Sequence, residues 1–161
     1  MSHSNVIIVG GGCAGISVAS RINNLKSDLS ISIIEPSEKS LYQAAWTLVG
    51  AGAYNVDNTI KPMSKVMPSY VNWIKEHAEE FMPESNSVKT NNGTYTYDYL
   101  IVCPGLKINL DGVAGLKENL GKNNICTNYS AEMATYTWEC LKNLDGGTLL
   151  FTEPAMPLKC P

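Results

Sequence analysis

Two groups of residues in this chain have types and spacings that could do chemistry. Gly10, Gly12 and Gly15 follow a short apolar run with G-x-G-x-x-G spacing, and Cys13 and Ala14 stand between the last two. Such a turn can touch a pyrophosphate. Gly10 permits a tight bend, Gly12 lets the backbone approach the phosphates, and Gly15 lets a following helix pack close to the preceding strand. The N-terminus of that helix stabilises the phosphate charge. Glu35 lies 20 residues beyond Gly15, where a carboxylate can accept hydrogen bonds from a ribose diol. The second group is at the other end. Cys160 is the next-to-last residue, flanked by Lys159 and Pro161. A neighbouring lysine can lower a thiol's pKa, although a solvated lysine is the commoner role.

The elements that must hold the first group are legible around it. Val6–Val9 is a β-branched apolar run, as a strand buried on both faces requires. Residues 14–26 read as a helix with Ile16, Ala19, Ile22 and Leu25 on one side. Ile31–Ile34 is a second apolar run, closed by Glu35. A glycine-rich turn that binds nothing is the bland alternative. Strand, turn, helix, second strand and acid in this order weigh against it. The unit by itself does not separate NAD from FAD, which bind through the same fingerprint.

A second structural signal runs over residues 87–105. Alternating residues lead to Asn92-Gly93 and alternate again through Tyr95 and Tyr97, which predicts a hairpin. Leu100–Val102 then predicts a buried strand ending at Pro104-Gly105. The stretch "LYQAAWTLVGAG" (residues 41–52) reads as an amphipathic turn or helix, more often core than cofactor box. A helix is expected over 130–143, and "GGTLLF" after it reads as a further buried strand.

Composition excludes some classes. With 161 residues and 44% apolar content the chain can build one sizeable core. A net charge of −3 leaves no basic footprint for nucleic acid. No run of 18 apolar residues is present, and "MSHSNVIIVGGG" carries no secretory or transit signal. The five cysteines (Cys13, Cys103, Cys126, Cys140 and Cys160) contain no C-x-x-C and are odd in number. A zinc knuckle and a disulfide scaffold are both poor readings. Cys103 and Cys140 sit among apolar neighbours and read as small buried hydrophobes. His3 and His77 are too isolated for a metal site, and His77 reads as a solvated polar position.

The stretch "YDYLIVCPG" (residues 97–105) resembles the second flavin motif of the two-dinucleotide-domain flavoproteins, in which Ala-Thr is commoner where Cys103-Pro104 stands here. The resemblance implies FAD, held by Gly10, Gly12, Cys13, Ala14, Gly15, Glu35, Gln43, Cys103, Pro104 and Gly105. The segments "YQAAWTLVGAG", "PSYVNWIKE" and "NYSAEMATYTWECLKNLDGGTLLFTEPAMPLKC" resemble the sulfide:quinone oxidoreductases, and the likeness runs from Val6 to Pro161. It implies an α/β fold: a Rossmann-like FAD-binding domain with a parallel sheet, helices and a β-hairpin insertion. The first FAD-binding segment would cover 1–115. Residues 116–161 would hold the connection and the start of a second, NAD-like domain, cut short in this chain.

In pyridine-nucleotide flavoenzymes that second domain opens with another glycine-rich turn. Here "TEPAMPLKCP" follows, with three prolines and no glycine, which cannot form a phosphate turn. In the resembled family the cysteine of P-x-K-C lies beside the flavin and pairs, through a disulfide or bridging sulfur, with a cysteine far downstream. Sulfide attacks the bridge, one cysteine becomes a persulfide, and the other passes electrons as thiolate into the flavin, which reduces a quinone. Cys160 matches the first of these cysteines; the partner is expected in the part of a longer protein that follows. Some bacterial members carry a cysteine in an I-C-T context like that of Cys126, which makes Cys126 either a third thiol near the sulfur chemistry or an ordinary one. Sulfide and quinone are the implied partners. Peripheral contact with a bacterial cell membrane or the mitochondrial inner membrane is implied for the missing part, and homo-oligomerisation stays open. The alternatives are a type II NADH:quinone oxidoreductase, a flavocytochrome-type sulfide dehydrogenase, or a non-catalytic FAD-binding remnant. The absent second glycine turn disfavours the first, and the absent export signal the second.

Overall fold

The structure is a computed structural model and describes residues 2–152. β1 (Ser2–Val9) runs into the glycine turn, and α1 (Cys13–Leu25) carries the chain back to β2 (Ile31–Ile34). A small excursion follows: β3 (Lys39–Leu41), a 3-10 turn over Gln43–Ala45, α2 (Trp46–Gly50), β4 (Ile60–Pro62) and the single-turn α3 (Met63–Val66). The chain then returns to the main sheet through β5 (Val71–Ile74), β6 (Ala78–Met82), β7 (Ser87–Thr90) and β8 (Thr94–Val102). The short α4 (Leu116–Asn119) and α5 (Ala131–Lys142) complete the described residues.

The main sheet has the order β5-β2-β1-β8-β7-β6. β5, β2, β1 and β8 are parallel, while β8-β7-β6 form an antiparallel meander. This is the expected α/β architecture with its hairpin insertion. Thr90 N donates to Gly93 O (2.8 Å) to close the hairpin at Asn92-Gly93. β1 is central and buried on both faces, which explains its unbroken apolar run. Val6 and Ile8 face α1 with Ile31, Ile33 and Val71; Ile16, Val18, Ala19 and Ile22 of α1 cover them. Ile7 and Val9 point the other way and pack with Ile34, Ile74, Val88 and Tyr97. At the far end of β1 the buried hydroxyls of Ser4 and Ser32 bond one another (2.6 Å), and Asn72 Nδ2 donates to Ser32 (3.1 Å).

Three expectations are corrected. Leu25 does not face the sheet: it is 70% exposed at the last residue of α1, and Val18 packs against the core instead. Val102, expected in a buried strand, is 51% exposed at the end of β8. Residues 148–151 form no strand, and Leu149, Leu150 and Phe151 are exposed. A strand is defined by its ladder of hydrogen bonds, and no described strand lies beside this run. The helix before it is present, capped by Ser130 Oγ accepting from Met133 N (3.3 Å).

The stretch 41–52 is half core and half surface. Ala45, Trp46 and Val49 are buried, whereas Leu41, Tyr42 and Leu48 are exposed. Trp46 and Val49 pack on Ala134 of α5. Trp46 Nε1 donates to Thr59 Oγ1 (3.1 Å), whose hydroxyl donates to Val56 O (2.6 Å). A Cβ on Gly52 would sit 2.4 Å from the Trp138 ring, so this backbone passes directly against α5. Among the described residues no helix is long and apolar enough to cross a membrane, and no group of three or more His, Cys, Asp or Glu could hold a metal.

Candidate functional site

The chain leaves β1 toward β2 on one side, while β8 flanks β1 on the other. A crevice at such a switch point, beyond the carboxyl ends of the strands, is where open α/β sheets bind ligands. Both glycine-bearing segments end there. Val9 pairs with Val102, and Cys103 N donates to Val9 O (2.7 Å). This sets the turn after β1 against the Cys103-Pro104-Gly105 turn after β8.

Sterics explain the glycines one by one. Gly10 has φ +104°, and a Cβ there would lie 2.0 Å from Cys103 O. A Cβ on Gly15 would lie 1.9 Å from Gly10 O, so the first turn of α1 rests on the end of β1. Gly12 differs: a Cβ there would meet nothing within 4 Å. It is the N-cap of α1, with an ordinary φ of −73°. No side chain caps this helix and no acid stands in its first turn. The first helical bond is Ile16 N to Gly12 O (3.1 Å), which leaves the N–H groups of Cys13, Ala14 and Gly15 without helical acceptors. Gly12, Cys13 and Ala14 are exposed. The result is an uncapped helix N-terminus with open space before it, a cradle that fits an anionic group.

Glu35 closes the other wall. Its Oε2 accepts from Gly11 N (2.8 Å) and its Oε1 from Ser37 N (2.7 Å). Its main chain is fixed as well, since Glu35 N donates to Ile74 O (2.9 Å) and Trp73 Nε1 donates to Glu35 O (2.8 Å). A carboxylate has about four acceptor sites, so two remain for a ligand hydroxyl. Gly11 is buried against this side chain; a Cβ there would lie 2.7 Å from Glu35 Cγ. Sequence reasoning passed over both Gly11 and Trp73. The triple glycine was a signal for the first, while nothing local pointed to the second.

The remaining candidates are more scattered. Gly105 has φ +76° with open space around it, and Pro104 is exposed. Cys103 is half-buried rather than buried, because the end of β8 lies open. Gln43 starts the 3-10 turn before α2 and is half-buried. Cys126 lies in the segment before α5. Its sulfur donates to Asn124 O (3.6 Å), and Cys140 and Thr137 act on its titration in opposite directions; none of these belongs to the glycine turn. Burial, then the Cys140 contact, pushes the Cys126 thiol up from its ordinary pKa. Cys140 is half-exposed, not the buried hydrophobe expected, because its face of α5 meets this polar loop. His77 is exposed as expected. Cys160 and Lys159 lie outside the described residues.

Comparison with known proteins agrees with this arrangement. The sulfide:quinone oxidoreductase of Dictyostelium discoideum mitochondria is 42% identical over 98% of the chain, and that of Mus musculus 36% identical over 99%. The chain spans only about a third of their length, 35% and 36% respectively. Among solved structures, the sulfide:quinone oxidoreductase of Aquifex aeolicus matches with a TM-score of 0.70 and 29% identity, covering 88% of this chain and 32% of that one. The profile of the pyridine nucleotide-disulphide oxidoreductases matches residues 4–134, a span that contains both turns at the switch point and Glu35 between them, and the chain belongs to that family.

Proposed function

We propose that this chain is the FAD-binding N-terminal portion of a sulfide:quinone oxidoreductase. The observation that carries the reading is the open cradle at Gly12, where an uncapped helix N-terminus faces free space at the switch point. The likeness to sulfide:quinone oxidoreductases over nearly the whole chain supports it. The pyrophosphate would be held by the backbone of Gly10, Gly12, Cys13, Ala14 and Gly15. Glu35 would accept from the ribose diol with its remaining lone pairs, and Cys103, Pro104 and Gly105 would border the cofactor from the β8 side. Gln43 is a further contact, offered from the turn before α2. Residues 1–115 are then the first flavin segment, and 116–161 the connection and the start of the second domain.

When bound, FAD supplies a two-electron acceptor that can be reoxidised by quinone. The protein's part is the sulfur chemistry. Sulfide adds to one sulfur of a bridge between Cys160 and a cysteine outside this chain. One cysteine becomes a persulfide; the other leaves as thiolate, the electron donor. Cys126 is the second candidate thiol. The complete protein would contact the mitochondrial inner membrane or a bacterial cell membrane peripherally, through parts beyond this chain, where quinone is met.

The test uses the complete protein purified with its flavin. Sulfide should bleach the flavin absorbance rapidly in a stopped-flow instrument, and added quinone should restore it. Rapid bleaching by NADH, with none by sulfide, would overturn the reading in favour of a type II NADH:quinone oxidoreductase.

A further inference from the structure

Two thiols share one asparagine in the loop before α5, away from the glycine turn. Cys140 lies near the end of α5, and Cys126 in the loop before that helix. Left-handed backbone turns the loop back on the helix: Gly121, Asn123 and Asn124 have φ of +79°, +52° and +61°. Gly121 N donates to Ile125 O (2.9 Å), and Ile125 N to Lys122 O (2.8 Å). Asn124 is the hub. Its backbone carbonyl accepts from Cys126 Sγ (3.6 Å), its Oδ1 accepts from Cys140 Sγ (3.7 Å), and its N–H donates to the Tyr136 hydroxyl (3.3 Å). Tyr136 and Cys140 are one helical turn apart on the same face of α5. The two sulfurs thus lie on the two oxygens of one residue, and Cys140 raises the pKa of the Cys126 thiol.

A structural free cysteine is usually a buried hydrophobe among apolar groups. These two are half-exposed and surrounded by polar partners. Two sulfurs held by the two oxygens of one asparagine are neighbours, and rotation of their side chains toward one another brings them toward the disulfide bond length. From this juxtaposition we infer that Cys126 and Cys140 form a reversible disulfide, a redox-sensitive staple between the 121–126 loop and α5.

The step is thiol–disulfide exchange with a small-molecule disulfide as oxidant. The thiolate of one cysteine attacks a sulfur of the small disulfide, giving a mixed disulfide and releasing one small thiol. The second cysteine, as thiolate, attacks the protein sulfur of the mixed disulfide and releases the second small thiol. The protein is oxidised by two electrons, the small disulfide is reduced to two thiols, and the two thiol protons end on the released thiols. Thiolate is the attacking species, so the raised pKa of Cys126 makes closure faster as pH rises above neutral. The bond would hold the loop against α5, and through Ala134 of α5 against Trp46 and Val49.

The sequence makes the test direct. No Lys or Arg lies between Lys122 and Lys142, so both cysteines fall in one tryptic peptide, 123–142. The complete protein is equilibrated with mixtures of oxidised and reduced glutathione, free thiols are alkylated, and the digest is weighed without reduction. The expected peptide 123–142 carries no alkyl group and is lighter by two hydrogen atoms in oxidising mixtures. It carries two alkyl groups in reducing ones. Cys140→Ser should abolish the internal bond and leave Cys126 either alkylated or carrying glutathione. Cys126→Ser should do the converse, so a folding failure of one variant leaves the other informative. Two alkyl groups on the peptide in the most oxidising mixture would overturn the proposal. So would a bond from Cys126 to Cys160, which would return Cys126 to the sulfide chemistry. The readout is a mass and does not depend on flavin reduction, so it stands or falls apart from the proposed function.

Discussion

Glu35 Oε2 accepts the N–H of Gly11 at 2.8 Å, across the sheet from the end of β2 to the turn after β1. The same carboxylate takes Ser37 N with its other oxygen. The acid proposed to read a ribose is therefore also the strut that holds the glycine turn. Glu35→Ala removes both bonds and should cost about 1.5–3 kcal/mol of stability, the usual range for hydrogen bonds to a charged group. It should also weaken FAD binding by at least about tenfold, since the proposed ribose contact goes with it. Denaturant titration of the apoprotein and flavin-fluorescence titration read the two effects separately. Unchanged flavin affinity would remove Glu35 from the site.

Gly10 and Gly12 should fail in opposite ways. Gly10→Ala places a Cβ 2.0 Å from Cys103 O at a positive φ, so the fold itself should lose roughly 3 kcal/mol. Gly12→Val introduces a side chain into space that is empty in the protein. The melting curve of its apoprotein should lie close to that of the parent apoprotein, yet the purified variant should come without yellow flavin, because the side chain occupies the proposed pyrophosphate position. Stoichiometric flavin in Gly12→Val would count against the cradle.

The pattern of what could be read from the chain follows from range. β1, the glycine turn, α1 and β2 are built from neighbours in sequence, and the Asn92-Gly93 hairpin is local too, so residue types sufficed. The sheet order was not legible, because β8 joins β1 across 93 residues, as the bond between His3 and Thr96 illustrates. Trp73 reaches Glu35 from a strand whose own sequence says nothing of that bond. The convergence of Cys126 and Cys140 on Asn124 depends on left-handed Asn123 and Asn124, a backbone choice that asparagine tolerates but does not announce. "GGTLLF" misled because an apolar run of strand length satisfies the pattern of a strand without supplying a neighbour to pair with.

Tyr95 gives the meander an alkaline limit. Burial, then its hydrogen bond to Glu76 (3.0 Å) and the negative charge there, raises its pKa above the ordinary value of 10.0. The folded state therefore holds the phenolic proton more tightly than the unfolded state. That stability is fully present below the unfolded pKa and is lost as pH rises through the folded one. Unfolding midpoints should fall above about pH 10, and Tyr95→Phe should flatten this limb while lowering stability at neutral pH. A variant whose alkaline limb keeps the parent's slope would show that another group sets it.

Cys160 decides whether the reading extends from flavin binding to sulfide chemistry. It lies outside the described residues, so the expectation rests on its place in "PLKC" and on the family likeness. A serine hydroxyl is nearly the size of a thiol but forms neither a disulfide nor a persulfide. In the complete protein, Cys160→Ser should keep FAD at the parent's stoichiometry, because none of the cradle residues is touched. Sulfide-dependent quinone reduction should fall by more than about a hundredfold, the scale of losing a covalent catalytic group. Cys126→Ser in the same assay separates the two thiols. If Cys126 serves only the proposed bond with Cys140, its loss should leave the rate within about twofold of the parent. Near-parent activity in Cys160→Ser together with a collapse in Cys126→Ser would move the sulfur chemistry to the loop before α5.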